Sequence, residues 1–196
     1  MTSRKNDNAF TGLEAAIVLI AFVVVAAVFS YVVLGAGFFT TQKSQQVVQT
    51  SMQQASSSLE VVGNVYGMGN SSANIGYLQF TVGNTAGGTA LDVSKMVVSY
   101  QDATTRWANL TFNASNATPG DTVKSKQIWG INRTINDVGT PNLLLEPGEQ
   151  MILVVGIPPS AIPNEQITVN LQPSIGAVFQ IKRTIPAAIN DVNIIY

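Results

Sequence analysis

The sequence predicts an α+β protein, with one long N-terminal apolar helix followed by an all-β, immunoglobulin-like sandwich. Three observations carry that expectation. Residues 15–42 contain no charged side chain, and no proline falls between Phe10 and Val62. From about residue 70 onward Gly, Asn, Thr, Ser and Pro become frequent, and apolar residues alternate in short runs. At 196 residues the chain has room for one ordinary domain and one extra element. The expected boundaries are a short leader at 1–9, a helix at 10–62, a linker at 63–69 and a β-domain at 70–196.

The leader, TSRKNDN, is modestly basic, with Arg4 and Lys5 on the side expected to stay in the cytoplasm. Behind it the uncharged stretch exceeds the roughly 20 apolar residues that cross a bilayer's hydrocarbon core. Three readings compete for it. A secretory signal peptide has an apolar core of about 7–15 residues and then a small-residue cut site. LGAG at 34–37 offers such a site, but the run before it is too long. A permanent single-pass anchor accounts for the length and leaves Glu14 unexplained, because an ionised carboxylate inside hydrocarbon is costly and is normally paired. The third reading supplies the partner. A cut ahead of Phe10 would place a new α-amine one helical turn from Glu14, in the same copy or a neighbouring one. The charge is then neutralised and the register between chains is fixed.

The succession of a short basic leader, Ala9-Phe10-Thr11-Gly12-Leu13-Glu14 and an apolar helix resembles the class III signal of type IV pilins and archaeal flagellins (archaellins). That resemblance implies a membrane-embedded prepilin peptidase cutting ahead of the apolar run, here between Ala9 and Phe10. It matches Gly12 to the small residue kept just after the cut and Glu14 to the pilin-type glutamate. Ala9 departs from the glycine more usual before the cut.

Beyond the apolar run, Val48, Met52, Ala55, Leu59 and Val62 recur at spacings of 4, 3, 4 and 3 among Gln, Ser and Thr. This a/d-type stripe carries the expected helix to Val62, where Gly63 and GNVYGMGN end it. Such a helix is roughly 80 Å long at 1.5 Å per residue. Its first half is apolar on every side, which demands burial in lipid or among other helices. Leu13, Ile17, Ile20 and Phe22 are the expected contributors. Gly12, Gly35 and Gly37 lack the GxxxG spacing and are read as packing and flexibility sites.

Eight strands are expected in the second half, at 76–82, 93–100, 106–112, 127–132, 143–145, 150–157, 167–171 and 177–185. Ile167, Val169 and Leu171 alternate with polar neighbours, as in a half-buried strand. Glu146-Pro147-Gly148-Glu149 between two apolar runs reads as a hairpin turn, and LEPGEQMILVV resembles a recurring hairpin of archaellins. Short strands with regular turn signals argue a sandwich of immunoglobulin-like size.

Composition excludes most chemistry. The chain has no Cys and no His, which removes disulfides, thiolate nucleophiles, Cys/His zinc sites and the commonest general base. Net charge is -1, so nucleic-acid binding has no basic footprint. Asp92, Asp102, Asp121, Asp137, Glu146, Glu149 and Glu165 form no calcium-loop pattern, and nothing supports a catalytic carboxylate pair. GNTAGGTA at 83–90 lacks the ending and setting of a phosphate loop. Trp107, Trp129 and Tyr100 are read as core or subunit-contact residues. No catalytic residue, metal or cofactor is assigned. Five N-x-S/T sequons occur, at Asn70, Asn109, Asn113, Asn116 and Asn132, three of them in NLTFNASNAT. They are read as N-glycosylation sites of an exported chain. Glycans would also hydrate a surface with only 11% charged residues, against roughly 25% in ordinary soluble domains.

The resemblance implies a structural subunit of the archaellum. It would be inserted in the membrane as a precursor, then assembled through its helix into an extracellular homopolymer for cell motility, with other flagellin subunits as possible companions. Its other partners would be the prepilin peptidase and the membrane motor and export machinery. Two alternatives are an archaeal adhesive type IV-like pilin and a membrane-anchored surface binding protein with an Ig-like head.

Overall fold

The computed structural model describes residues 4–56, 59–71, 74–84, 89–113, 123–137, 139 and 142–196. The chain falls into two units, Met1–Thr50 and Ser51–Tyr196. Helix α1 spans Arg4–Ser56, 53 residues. Its sequence has no proline, and three of its threonine hydroxyls turn back onto the backbone. Thr40 and Thr41 donate to the carbonyls of Ala36 and Gly37 at 2.8 and 2.9 Å, and Thr50 donates to that of Gln46 at 2.8 Å. Such bonds let hydroxyls sit on an apolar helix without a further partner.

The β-domain is built from β1 (Leu59–Ser71), β2 (Asn74–Asn84), β3 (Leu91–Asp92), β4 (Val97–Gln101), β5 (Arg106–Trp107) and β6 (Thr111–Asn113). These are followed by β7 (Ile128–Ile135), β8 (Leu144–Leu145), β9 (Gln150–Gly156), β10 (Gln166–Gln172), β11 (Phe179–Thr184) and β12 (Val192–Ile195). One sheet has the order β12-β1-β2-β9-β7-β6, a second β11-β10-β4-β5, and β3 pairs with β8. Every pair is antiparallel except β6 with β7. Both main sheets feed one core. Phe80, Trp129 and Leu153 enter from the first, and Tyr100, Val169 and Leu171 from the second, all fully buried. A small cluster of Val123 and Val154, with Tyr77 and Ile128 against it, lies apart from that core.

A helix followed by a two-sheet β-domain is what the sequence implied, but the junction is placed differently. The helix ends at Ser56 and not at Val62. Residues 63–69, expected as a linker, lie inside β1, so the β-domain begins at Leu59 and not at residue 70. Helical spacing of Leu59 and Val62 was coincidental. Leu59 pairs with Asn84 and Val61 with Val82, and Leu59 is buried in the core. Long-range pairing of a β-branched run therefore overrides local helix signal. Gly63 does adopt φ +84, but at the register shift between Val62 and Tyr66, as a bulge and not a helix cap. At the other end α1 starts at Arg4, so residues 4–9 of the expected leader are helical.

Two expected strands are divided. Val93–Lys95 forms a 3-10 turn capped by the Asp92 carboxylate, which accepts from the Ser94 amide at 3.1 Å, and β4 begins only at Val97. The 106–112 run splits into β5 and β6, which belong to different sheets. Glu146-Pro147-Gly148-Glu149 is a turn, with the Glu149 amide donating to the Glu146 carbonyl at 3.1 Å and Gly148 at φ +90. It does not close a hairpin, because β8 pairs with β3 while β9 lies between β2 and β7. β1, β3 and β12 were not anticipated.

Candidate functional site

The most unusual surface belongs to α1. From Gly12 to Met52, 41 residues form a helix long and apolar enough to cross a membrane, and none of its most apolar window is buried within the chain. At 1.5 Å per residue this segment is about 60 Å long, twice a bilayer core of roughly 30 Å. Leu13, Ile17, Ile20 and Phe22 keep between 63% and 70% of their surface exposed. Water would not tolerate so large a bare apolar surface, so lipid or other protein must cover it.

The helix surface is uneven. Ala26, Ser30 and Gly37 lie on one face, flanked by Phe29 and Phe38, and form a shallow apolar groove. A second groove lies between Phe22 and Val18, floored by Ala21. Small side chains between large ones give the ridges and hollows that helices use to interdigitate. This relief was missed in the sequence, although its spacing of 4 and 7 residues is visible there. Gly12 and Glu14 sit on exposed helix near its start. The backbone at Ala9 and Phe10 is helical. In the lower half of α1, Lys43 donates to the Gln46 side chain at 3.1 Å, and Val48 and Met52 are exposed.

The sequons are spread over the β-domain. Asn109 is exposed between β5 and β6, with its backbone carbonyl held by the Gln127 side-chain amide at 2.8 Å. Asn70 is exposed near the end of β1 and donates to Ser125 at 3.2 Å. Asn113 ends β6 and is half-buried. Asn132 is half-buried within β7, at the register shift between Ile131 and Arg133. Asn116 and Asp121 lie outside the described residues.

The acidic residues serve the fold. Asp102, 8% exposed, accepts from Tyr100 and Ser160 hydroxyls at 3.0 and 2.8 Å and from the Thr104 amide at 2.7 Å. The Thr105 amide and the Thr104 hydroxyl, the latter at 3.1 Å, also donate to it. Burial pushes the Asp102 carboxyl up, but the bonds from Thr105, Thr104, Ser160 and Tyr100 outweigh it and hold the group below its usual range. One carboxylate thus ties β4, the β4–β5 turn and the loop after β9 together. Asp92 pairs with Lys95 at 2.9 Å, and Glu149 is buried under its own turn, accepting from the Glu146 amide at 3.0 Å. No group of three or more acidic residues gathers among the described residues. Trp129 and Tyr100 are core residues, and Trp107 is half-buried with its ring 5.9 Å from that of Tyr100.

Comparison with known proteins supplies the context. The pattern that defines archaeal-type flagellins matches residues 9–183. Probable flagellin 2 of Archaeoglobus fulgidus is 39% identical over 208 aligned positions, spanning 98% of this chain and 96% of that one. Probable flagellin 1 of the same organism is 36% identical, spanning 97% and 96%. The solved archaeal flagellum of Methanospirillum hungatei strain JF1 contains a chain 32% identical to this one. It superposes with a TM-score of 0.71 over 94% of this chain and 99% of that one.

Proposed function

The chain belongs to the archaeal-type flagellin family, a structural subunit of the archaellum filament and not an enzyme, and on that premise we propose how its helix carries it from membrane to polymer. The precursor is held in the bilayer by its apolar helix. A prepilin peptidase cuts between Ala9 and Phe10, and the mature chain begins in α1. The helix then leaves lipid and packs against the helices of other copies. Gly12 lets neighbours approach at the start of the helix. Glu14 neutralises the new α-amine of Phe10, and the pairing sets the register of each added subunit.

Burial of Leu13, Ile17, Ile20, Phe22 and the rest of the helix drives assembly, at roughly 25 cal/mol per Å². Contacts of this head-to-tail kind do not close, so they extend into a helical filament. The β-domains lie outside, on the cell exterior, where Asn109 and Asn70, exposed among the described residues, are candidate glycan acceptors. A membrane motor turns the filament, and ATP hydrolysis belongs to that machinery.

One observation carries this reading: an unbroken helix whose apolar side chains have no cover within their own chain. Mass spectrometry of protein sheared from cell surfaces tests it. The expected result is an N-terminus at Phe10 and an intact mass above that of the polypeptide. A retained Met1, with nothing released by shearing, would mean an anchored surface protein.

A further inference from the structure

Helix α1 is longer than a bilayer needs, and one short stretch of it is built unlike the rest. The uncharged run at 15–42 measures about 42 Å at 1.5 Å per residue, about 12 Å more than a hydrocarbon core of roughly 30 Å. A straight helix would hide the excess only by tilting about 45°, beyond the roughly 0–40° that spanning helices adopt. Counted from Ala15, residues 15–34 already measure about 30 Å. Gly35, Ala36 and Gly37 come next, followed by two phenylalanines, Thr40, Thr41, Gln42 and Lys43.

Three features weaken the helix at that place. Gly is the poorest helix former after Pro, and two of them fall within three residues. Neither is demanded by the chain itself. Both keep ordinary helical backbone, and a Cβ added at either would meet nothing within 4 Å. Gly37 lines the apolar groove beside Phe29 and Phe38, whereas Gly35 is not among the residues that do. The third feature is the threonine pair, whose hydroxyls donate to the carbonyls of Ala36 and Gly37 at 2.8 and 2.9 Å. Such back-bonding bends helices. Residues 15–34 contain neither Gly nor Thr, so these features meet nowhere else in the run.

We propose that residues 35–37 are a bend point that fits the precursor to its membrane. Residues 15–34 span the hydrocarbon core, and from Phe38 the helix turns to run along the outer surface of the bilayer. There the rings of Phe38 and Phe39 rest at the acyl boundary, while Thr40, Thr41 and Gln42 reach water. Water is also available there to the backbone groups that a bend releases, as it is not in the hydrocarbon. Lipid is the occupant of this surface, since a bilayer is what limits an apolar helix to roughly 30 Å. The proposal rests on the membrane-held precursor described above and adds where its span ends.

The chain has no Cys, so spin labels attach only where one is introduced. The full precursor carrying Ala16→Cys and Gln49→Cys is placed in phosphatidylcholine vesicles, and the distance between the two labels is read by pulsed electron resonance. A straight helix sets them about 50 Å apart, and a bend of 60° or more brings them to about 43 Å or less. The shorter distance is expected, and adding Gly35→Ala/Gly37→Ala should restore the longer one. Ala is the better helix former and has open space at both positions, so that variant keeps its helix. A single label at Ala27→Cys reports separately on the span, through its access to a water-soluble relaxant. A distance of about 50 Å with both glycines in place, and position 27 shielded, would overturn this inference and leave the membrane-held precursor intact. Water access at position 27 would overturn both. A short distance that persists in the alanine variant would also overturn the inference, because the bend would then lie elsewhere.

Discussion

Replacing Ile17 by Ala separates assembly from folding. Ile17 leaves 67% of its surface exposed in the free chain. Fully burying an Ile side chain contributes about 1.5–3 kcal/mol, so covering the exposed two-thirds contributes about 1–2 kcal/mol per subunit. The cavity left in a packed core adds to this, bringing the expected loss to about 2 kcal/mol, at the low end of large-to-small core changes. Since about 1.4 kcal/mol is a factor of ten, the free subunit concentration in equilibrium with filaments should rise roughly 30-fold. Ala is the better helix former, so the loss cannot come from a weakened helix. The assay heats filaments gently, sediments them and measures subunit left in solution. Lys182→Ala, on the exposed face of β11, serves as the reference that changes nothing. Equal free subunit for Ile17→Ala and wild type would refute the burial reasoning.

Three further outcomes are expected. Glu14→Ala should leave membrane insertion intact and sharply reduce subunit addition, as counted by electron microscopy of cell surfaces; normal filaments would remove the pairing with Phe10. Asp102→Ala should cost the β-domain about 3 kcal/mol, because it strands the buried Tyr100 hydroxyl and two backbone amides. Its acid behaviour has a definite sign: the carboxyl titrates lower folded than unfolded, so its stabilisation is complete above about pH 4 and is lost as pH falls further. Asp102→Asn should flatten that acid slope in thermal melts, and an unchanged slope would assign it elsewhere. Trp129→Ala should cost about 3–5 kcal/mol, since the ring is fully buried and packs 4.7 Å from that of Phe112. Unfolding followed by near-UV circular dichroism would show it, and a loss below 1 kcal/mol would contradict the packing.

The helix was legible because its signal is local and redundant. A long uncharged run without proline leaves the backbone little alternative, and Glu14 marks its entrance. β2, β9, β10 and β11 were legible from alternation and flanking turns. The junction was not. Leu59 and Val62 fit a helical spacing, and only pairing with Asn84 and Thr81 on β2 shows that they stand on a strand. Gly63 gave a true positive-φ signal that serves a bulge as readily as a cap. Glu146 to Glu149 gave a true turn, but local chemistry does not say which strands a turn joins, and β8 goes to β3. β12 carries a short Val-Asn-Ile-Ile run whose meaning depends wholly on β1 beside it. On the candidate site, sequence pointed to Glu14 and the apolar residues, while the small residues spaced 4 and 7 apart become grooves only once the helix sets them between Phe29 and Phe38.

The most direct test is a three-dimensional reconstruction of filaments sheared from the cell surface, at a resolution that traces side chains. The expected map has α1 of every copy packed around the axis, density beginning at Phe10 with Glu14 beside a chain start, and β-domains on the outside. A filament built from β-domain contacts, with the helix unpacked or absent from its centre, would contradict the claim that this helix is the polymer's core.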